Sequence, residues 1–197
     1  MSEFTLKKHP SFSPRKGPVV ICVMDGVGVA PDGSGNAVQL ARTPNLDWLK
    51  ENSLYTTLRA HGTAVGLPSD DDMGNSEVGH NALGAGRVFD QGSKLVGRAI
   101  ENESLFKGET WRSFVAQATS KHSAMHFIGL LSDGNVHSHI DHLIALLRRA
   151  DAEGVEKSFV HVLLDGRDVP ETSAFQYVDA LESVLAEISS KPSRCYR

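Results

Sequence analysis

The apolar residues of this chain alternate between strand-like and helix-like spacing. Short continuous apolar runs occupy residues 19–24, 125–131 and 159–164, and a polar, glycine-containing segment follows each of them. Runs of this length are typical of strands that are covered on both faces of a parallel sheet. Residues 54–58, rich in tyrosine and threonine, predict a further strand.

Between these runs the apolar positions repeat at helical spacing. Helices are predicted at residues 43–50, where Thr43 and Pro44 start the first turn, from about Ser76, at 93–101 and at 110–119. Two further helices, starting at Ser138 and spanning 172–188, carry apolar stripes: Ile140, Leu143, Ile144 and Leu147 in the first, and Val178, Leu181, Leu185 and Ile188 in the second. Strand, loop and helix in this alternation predict an α/β fold with a parallel sheet, which binds ligands at the carboxyl ends of its strands.

Composition and charge exclude several classes of function. The chain has 197 residues and a net charge of -4, which disfavours general nucleic-acid binding because a phosphate backbone requires a basic face. No apolar run approaches the ~18 residues of a membrane span. Residues 1–17 lack the apolar segment of a signal peptide and are predicted to be a disordered tail. Cys22 is predicted to be a buried free thiol, and the two distant cysteines favour the reducing cytoplasm.

Residues 72–80 carry the richest candidate chemistry, because a hydroxyl, a carboxylate and an imidazole surround two glycines where a loop enters a helix. Ser76 is the candidate nucleophile, since the start of a helix stabilises an incoming phosphoryl anion. A serine hydroxyl needs a base or a metal ion, and Asp25, at the end of a predicted strand, is a candidate metal ligand together with Ser76. The alternative is that Ser76 only caps its helix and Asp25 only caps a turn.

Neighbouring polar residues leave two readings open. His80, four residues after Ser76, either donates to a group at the site or is a packed, hydrogen-bonded histidine. The acidic run of residues 70–72 either binds a cation or forms a solvated loop.

Two more polar clusters follow the later strands. In residues 132–139, His137 or His139 is predicted to donate to a carboxylate or phosphate, whereas a metal site would need more ligands than this segment offers. In residues 165–168, the Arg167 guanidinium matches carboxylate or phosphate oxygens, and Asp168 is placed to orient it or to bind a substrate hydroxyl. The alternative for this second cluster is a surface turn with a local ion pair.

These motifs together resemble the cofactor-independent (2,3-bisphosphoglycerate-independent) phosphoglycerate mutases of the alkaline-phosphatase superfamily. The resemblance is carried, in the family's order, by residues 24–28, 73–80, 84–87, 131–134, 136–139 and 165–168. It implies an alkaline-phosphatase-like parallel sheet domain, partial in this chain, plus the start of an inserted α/β transferase domain. The implied division is residues 1–17 as tail, 18–89 as the first part of the phosphatase-like domain, and 90–197 as the truncated opening of the inserted domain.

The resemblance also implies a reaction and a set of roles. The reaction is interconversion of 3-phosphoglycerate and 2-phosphoglycerate through a phosphoserine on Ser76. Asp25 and Ser76 are implied ligands of one of two divalent metal ions, manganese first, with magnesium or cobalt as alternatives, and 2,3-bisphosphoglycerate is not required. His137, Arg167 and Asp168 are implied contacts of the substrate. The family further implies a monomer with a small-molecule substrate and no nucleic-acid or membrane partner.

Family members are more than twice this length, so the resemblance covers an N-terminal portion. The remaining metal ligands and substrate arginines are not expected here, and we expect the chain by itself to be inactive. Residues 189–197 show no apolar periodicity and no strand, which suggests that the polypeptide stops inside a domain. A different metal-dependent phosphatase or phosphomutase of the superfamily, or a non-catalytic remnant, are the competing hypotheses.

Overall fold

Two of the continuous apolar runs form neighbouring parallel strands in the computed structural model, which describes residues 8–197. β1 (Ala124–Leu131) pairs with β2 (Lys157–Leu164) along its whole length. Ala124 lies opposite Lys157 and Leu131 lies opposite Leu164, so the pairing has no stagger. The polar loops that follow the two strands therefore leave the sheet side by side. This confirms the α/β class and the parallel sheet.

A third strand corrects the prediction for residues 189–197. β3 (Cys195–Tyr196) pairs in parallel with the start of β2, which gives the strand order β1-β2-β3. Tyr196 is buried, and its hydroxyl donates to the Val155 carbonyl at 3.0 Å. A two-residue strand is too short to show any apolar periodicity, so this long-range packing was not visible in the sequence.

The predicted helices are formed, with bounds shifted by a residue or two. In chain order the helices are α1 (Ala37–Leu40), α2 (Pro44–Asn52), a 3-10 turn (Gly62–Val65), α3 (Ser76–Ala85), α4 (Gly92–Glu101), α5 (Ser104–Lys107), α6 (Glu109–Ser120), α7 (Ile140–Ala152) and α8 (Ala174–Ser189). The two short helices, α1 and α5, and the 3-10 turn were not predicted.

Helices α7 and α8 pack with the sheet into the main core. The predicted apolar stripes are the residues that they bury, including Leu147 on α7 and Leu181 and Ile188 on α8. A second cluster joins α5, α6 and α7 through Phe106, Trp111, Val115, Ala118, Ala150 and Val155. These two clusters fix the positions from which β1 and β2 present their loops.

The strands predicted at residues 19–24 and 54–58 are not formed. Val20 and Ile21 are each 82% exposed, Leu54 is fully exposed, and Cys22 is an exposed rather than a buried thiol. A strand with apolar side chains on both faces needs a neighbouring strand and covering helices. Within the part of the chain that the structure describes, no strand pairs with either segment.

The structure divides into two compact units, the first ending at Tyr55 and the second spanning Thr56–Arg197. Asp25 therefore belongs to the first unit, and Ser76 to the second. The predicted domain boundaries, after residues 17 and 89, remain predictions, and the predicted tail lies partly outside the described residues. Over residues 8–197, no helix combines the length and the apolar character that crossing a membrane requires.

A buried carboxylate joins α7 to the segment that follows α8. Asp151 accepts hydrogen bonds from the Lys191 ammonium and, at 2.7 Å, from Nε of Arg194, and its side chain is 7% exposed. Burial alone raises the pKa of the Asp151 carboxyl. The hydrogen bonds from the two cations outweigh burial, so that the pKa is lowered from its ordinary value.

We expect Asp151→Asn to reduce the free energy of unfolding at pH 7 by about 2–3 kcal/mol, because the amide leaves two cations without their partner. Urea unfolding followed by circular dichroism measures this change. The matched control is Glu187→Gln, which breaks an exposed pair with Arg148 at 2.8 Å and should cost clearly less, because solvent screens exposed ion pairs. Equal losses in both variants would contradict the assignment.

Candidate active site

Ser76 is the first residue of α3, and its neighbour Asn75 is the N-cap. The Asn75 side-chain oxygen accepts a hydrogen bond from the Val78 N–H at 3.1 Å. The alternative reading of Ser76 as the cap is therefore wrong. Ser76 is exposed and lies at the positive end of a helix of 10 residues, where a phosphoryl group would be stabilised.

His80 lies on the same face of α3 as Ser76, as the spacing predicted. Its Nδ1 is 2.7 Å from the Ser76 carbonyl oxygen and 3.1 Å from the Ser76 hydroxyl. A carbonyl oxygen only accepts, so Nδ1 carries the proton and cannot at the same time accept the hydroxyl proton. His80 is exposed and hydrogen-bonded rather than packed, and this arrangement does not make it the base for Ser76.

The acidic run before Ser76 shapes its loop. Asp70 accepts hydrogen bonds from the backbone N–H and the hydroxyl of Thr63, at 3.0 and 2.5 Å, and the hydroxyl contact first of all lowers the pKa of Asp70. Asp72 accepts from the Ser69 N–H at 2.6 Å. These carboxylates therefore cap turns, a role that neither the cation reading nor the solvated-loop reading of residues 70–72 described.

The loop after β1 begins with a buried serine. Ser132 is fully buried, and its carbonyl accepts from the Ile140 N–H at 2.8 Å, which closes the loop before α7. His139 is the N-cap of α7, where Nδ1 accepts from the Asp141 N–H at 3.1 Å. Of the two candidate histidines, His137 is thus the exposed one without a capping role.

One carboxylate joins the loops that follow β1 and β2. Asp165 accepts from the Ser132 hydroxyl at 2.6 Å and from three successive backbone N–H groups, those of residues 166–168, at 2.7, 3.0 and 3.1 Å. Burial by itself raises the pKa of Asp165, but these four hydrogen bonds lower it to about 2. Asp165 is therefore ionised at neutral pH, and it fixes the backbone that carries Arg167 and Asp168.

The structure brings His137 and Asp168 together. Nε2 of His137 lies 4.0 Å from Oδ2 of Asp168, whose side chain is 10% exposed. Gly134 makes this approach possible, because a Cβ at that position would lie 2.7 Å from the Cβ of Asp168. Arg167 is exposed beside them, with its backbone N–H held by Asp165.

A cavity of about 400 Å³ links His137 to the start of α3. It is lined by Asn75 and Glu77, which flank Ser76 in sequence, by the first residues of α4, and by residues 135–138. His137 is therefore the candidate that faces both the cavity and Asp168. Arg167 and Asp168 are not among the residues that line this cavity.

Asp25 lies in the first unit, where its carboxylate accepts from the Gly26 N–H at 3.1 Å. This contact fits the turn-capping reading of Asp25, and its role as a metal ligand remains a prediction. The oxygen donors of Asp25 and Ser76 suit a hard divalent cation. Across residues 8–197, however, no three histidine, cysteine, aspartate or glutamate side chains converge on one point.

Three contacts around the candidate site were missed from the sequence. The central role of Asp165 was not assigned, although this residue opens the polar segment after β2. The Tyr177 hydroxyl donates to Asp133, which raises the pKa of that tyrosine, and the Asn135 amide donates to Asp72 at 2.8 Å. The last two pairs are 44 and 63 residues apart in sequence, so local spacing gave no signal.

Comparison with known proteins gives one consistent result. Residues 96–193 match the family model described as the N-terminus of BPG-independent PGAM. A probable 2,3-bisphosphoglycerate-independent phosphoglycerate mutase of Leptospira interrogans is 50% identical over 184 residues, which is 91% of this chain and 33% of that protein. The Trypanosoma brucei brucei enzyme of the same name is 46% identical over 185 residues, 93% of this chain and 33% of that protein.

A solved structure shares the fold. Leishmania mexicana phosphoglycerate mutase, crystallised at low cobalt concentration, superposes with a TM-score of 0.80 at 45% identity. The match covers 89% of this chain and 32% of that chain. The chain thus spans about a third of the length of the curated relatives that it matches.

We expect Asp165→Asn to reduce the free energy of unfolding at pH 7 by about 1–3 kcal/mol, because a buried charge-assisted acceptor is lost. Since the folded pKa of about 2 lies below the ordinary 3.8, the stabilisation is complete above pH ~4 and disappears as the pH falls toward 2. Unfolding measured at a series of pH values should show the two proteins converging in acid. The exposed Asp179→Asn is the control, and a similar loss there would contradict this role.

We expect Gly134→Ala to displace Asp168 and reduce the free energy of unfolding by about 1–3 kcal/mol, because the added methyl group overlaps the Asp168 side chain. Nuclear magnetic resonance of the His137 ring, together with thermal unfolding, measures both effects. Gly166→Ala is the matched control, since its nearest neighbouring atom is 3.5 Å away. An unchanged His137 signal in Gly134→Ala would show that the two loops are not in contact.

Proposed function

The chain belongs to the family of 2,3-bisphosphoglycerate-independent phosphoglycerate mutases, and on that premise we propose that it supplies the phosphate-accepting serine and part of the glycerate site of such an enzyme. The reaction is the interconversion of 3-phosphoglycerate and 2-phosphoglycerate. The observation that carries this proposal is the meeting of His137 and Asp168, 4.0 Å apart, beside a cavity that begins next to Ser76.

Ser76 is the proposed nucleophile. Its hydroxyl loses its proton as the oxygen attacks the phosphorus of 3-phosphoglycerate, the bond from phosphorus to the substrate oxygen breaks, and that oxygen takes up one proton in return. The resulting glycerate then attacks the phosphoserine through its other hydroxyl and regenerates the Ser76 hydroxyl. The positive end of α3 stabilises the anionic phosphoryl group in both steps.

Glycerate has to remain bound while it reorients, so that its other hydroxyl faces the phosphoserine. The Arg167 guanidinium matches its carboxylate in a bidentate geometry, and Asp168 accepts from a glycerate hydroxyl. His137, which lines the cavity and lies 4.0 Å from Asp168, is the proposed donor to the substrate phosphate or carboxylate. Asp165 keeps the backbone of residues 166–168 in place while the ligand moves.

The proposed cofactors are two divalent metal ions, manganese first, without 2,3-bisphosphoglycerate. Asp25 and Ser76 would provide oxygen ligands for one of them. When bound, such an ion neutralises phosphoryl charge and lowers the pKa of the serine hydroxyl. This is the kind of activation that His80 does not provide, because its Nδ1–H already donates to the Ser76 carbonyl. We further propose a cytoplasmic monomer without nucleic-acid or membrane partners.

A chimera tests the proposal. Residues 8–197 replace the matched third of the Leptospira interrogans relative, to which this chain is 50% identical. With manganese, we expect the chimera to interconvert the two phosphoglycerates, and Ser76→Ala to reduce turnover by at least about a thousandfold because the phosphate acceptor is lost. A coupled enolase assay measures turnover in the forward direction.

Ser183→Ala is the control for the chimera, since it removes an exposed hydroxyl on α8, outside the residues that line the cavity, and should retain most of the activity. The 197-residue chain alone should show no manganese-dependent turnover, because it spans about a third of the length of the relatives that it matches. A folded chimera that stays active after Ser76→Ala would refute the proposal.

A further inference from the structure

A side-chain hydrogen bond links the loop that precedes Ser76 to the loop that carries His137. Nδ2 of Asn135 donates to Oδ1 of Asp72 at 2.8 Å, and both residues are half-buried. Asp72 is four residues before Ser76, and Asn135 is two residues before His137. The bond therefore connects two segments that both contribute residues to the lining of the same cavity.

Asp72 transmits this contact into its own loop. Its second carboxylate oxygen accepts from the Ser69 N–H at 2.6 Å, and its backbone carbonyl accepts from the Gly62 N–H at 3.1 Å. The loop is further closed by the Leu67 N–H, which donates to the Gly62 carbonyl at 3.1 Å. Asp72 is thus held both by its side chain and by its backbone, and it has little freedom to follow Asn135. The bond to Asn135 therefore keeps the two loops at one separation.

Asn135 is equally constrained on its side. Its backbone has φ +58, in the left-handed region that asparagine tolerates better than most residues. Its backbone N–H donates to the Ser138 carbonyl at 3.1 Å, which closes a turn around His137. The side-chain amide thus leaves the turn in a defined direction, toward Asp72.

We propose that Asn135 is a positioning residue that, through Asp72, sets the spacing between Ser76 and the glycerate contacts at His137 and Asp168. This inference rests on the proposed function for its meaning. Phosphoryl transfer requires donor and acceptor in line within a narrow range of distances, so a rigid link between the two loops has a direct use.

A pair swap in the full 197-residue chain tests the link. Asn135→Asp places two carboxylates against each other, and Asp72→Asn places two amides against each other. The double variant Asp72→Asn/Asn135→Asp restores one donor and one acceptor, and the amide oxygen at position 72 still accepts from the Ser69 N–H. The measurement is backbone hydrogen exchange by nuclear magnetic resonance, with circular dichroism as the check on folding.

We expect Asn135→Asp to accelerate exchange at Gly62 and Ser69, in the distant loop, by at least about tenfold, since displacement of Asp72 moves both the backbone carbonyl that holds the Gly62 N–H and the carboxylate that holds the Ser69 N–H. The double variant should return both amides to within about threefold of the parent chain. Asn135→Gly, which keeps the left-handed backbone and deletes only the amide, should reproduce the acceleration.

Exchange at Gly62 and Ser69 that stays within about twofold of the parent in Asn135→Asp and Asn135→Gly would overturn the proposal, because Asn135 would then stabilise only its own turn. Failure of the folded double variant to restore protection would overturn it as well. The experiment uses no phosphoglycerate, so its outcome is independent of the chimera assay that tests the proposed function.

Discussion

The Asp165 carboxylate is the constraint on which the candidate site depends. Parallel pairing of β1 and β2 without stagger places Ser132 and Asp165 next to each other, one residue beyond the last strand pair. A buried carboxylate at this point would be costly alone, but one hydroxyl and three backbone N–H groups satisfy it. The same bonds that stabilise the charge hold the two loops in a single arrangement.

The remaining site geometry follows from that arrangement. With both loops held, Gly134 packs directly on Asp168, and His137 comes within reach of the Asp168 carboxylate. The Asn135 amide is then directed at Asp72, which connects this edge of the sheet to the loop before Ser76. Each step is a short-range contact, yet together they relate a helix start near residue 76 to a strand end near residue 165.

The sequence was informative where a segment's partners lie close along the chain. The stripes on α7 and α8 and the two long strands are confirmed, because those elements bury their apolar residues against one another. Residues 19–24 have the same apolar character, but no strand among residues 8–197 pairs with them. Apolar content alone therefore predicted a strand that is not formed. β3 was missed because a strand of two residues is too short to show an alternation of apolar and polar positions.

The site was predictable in its parts and not in its connections. The sequence assigned substrate contacts to His137, Arg167 and Asp168, and these roles stay predictions. A carboxylate that contacts a ligand and one that caps a turn look alike in sequence, so Asp165 received no role. The link from Asn135 to Asp72 depends on a tertiary contact that spacing does not encode.

Titration of the 197-residue chain with 3-phosphoglycerate, followed by nuclear magnetic resonance, tests most directly whether these loops form a glycerate site. The account predicts saturable shifts confined to the amides of residues 133–139 and 166–168 and to the His137 ring, and their loss in a folded Arg167→Ala variant. Saturable binding that leaves those signals unmoved, or that persists unchanged in Arg167→Ala, would contradict it.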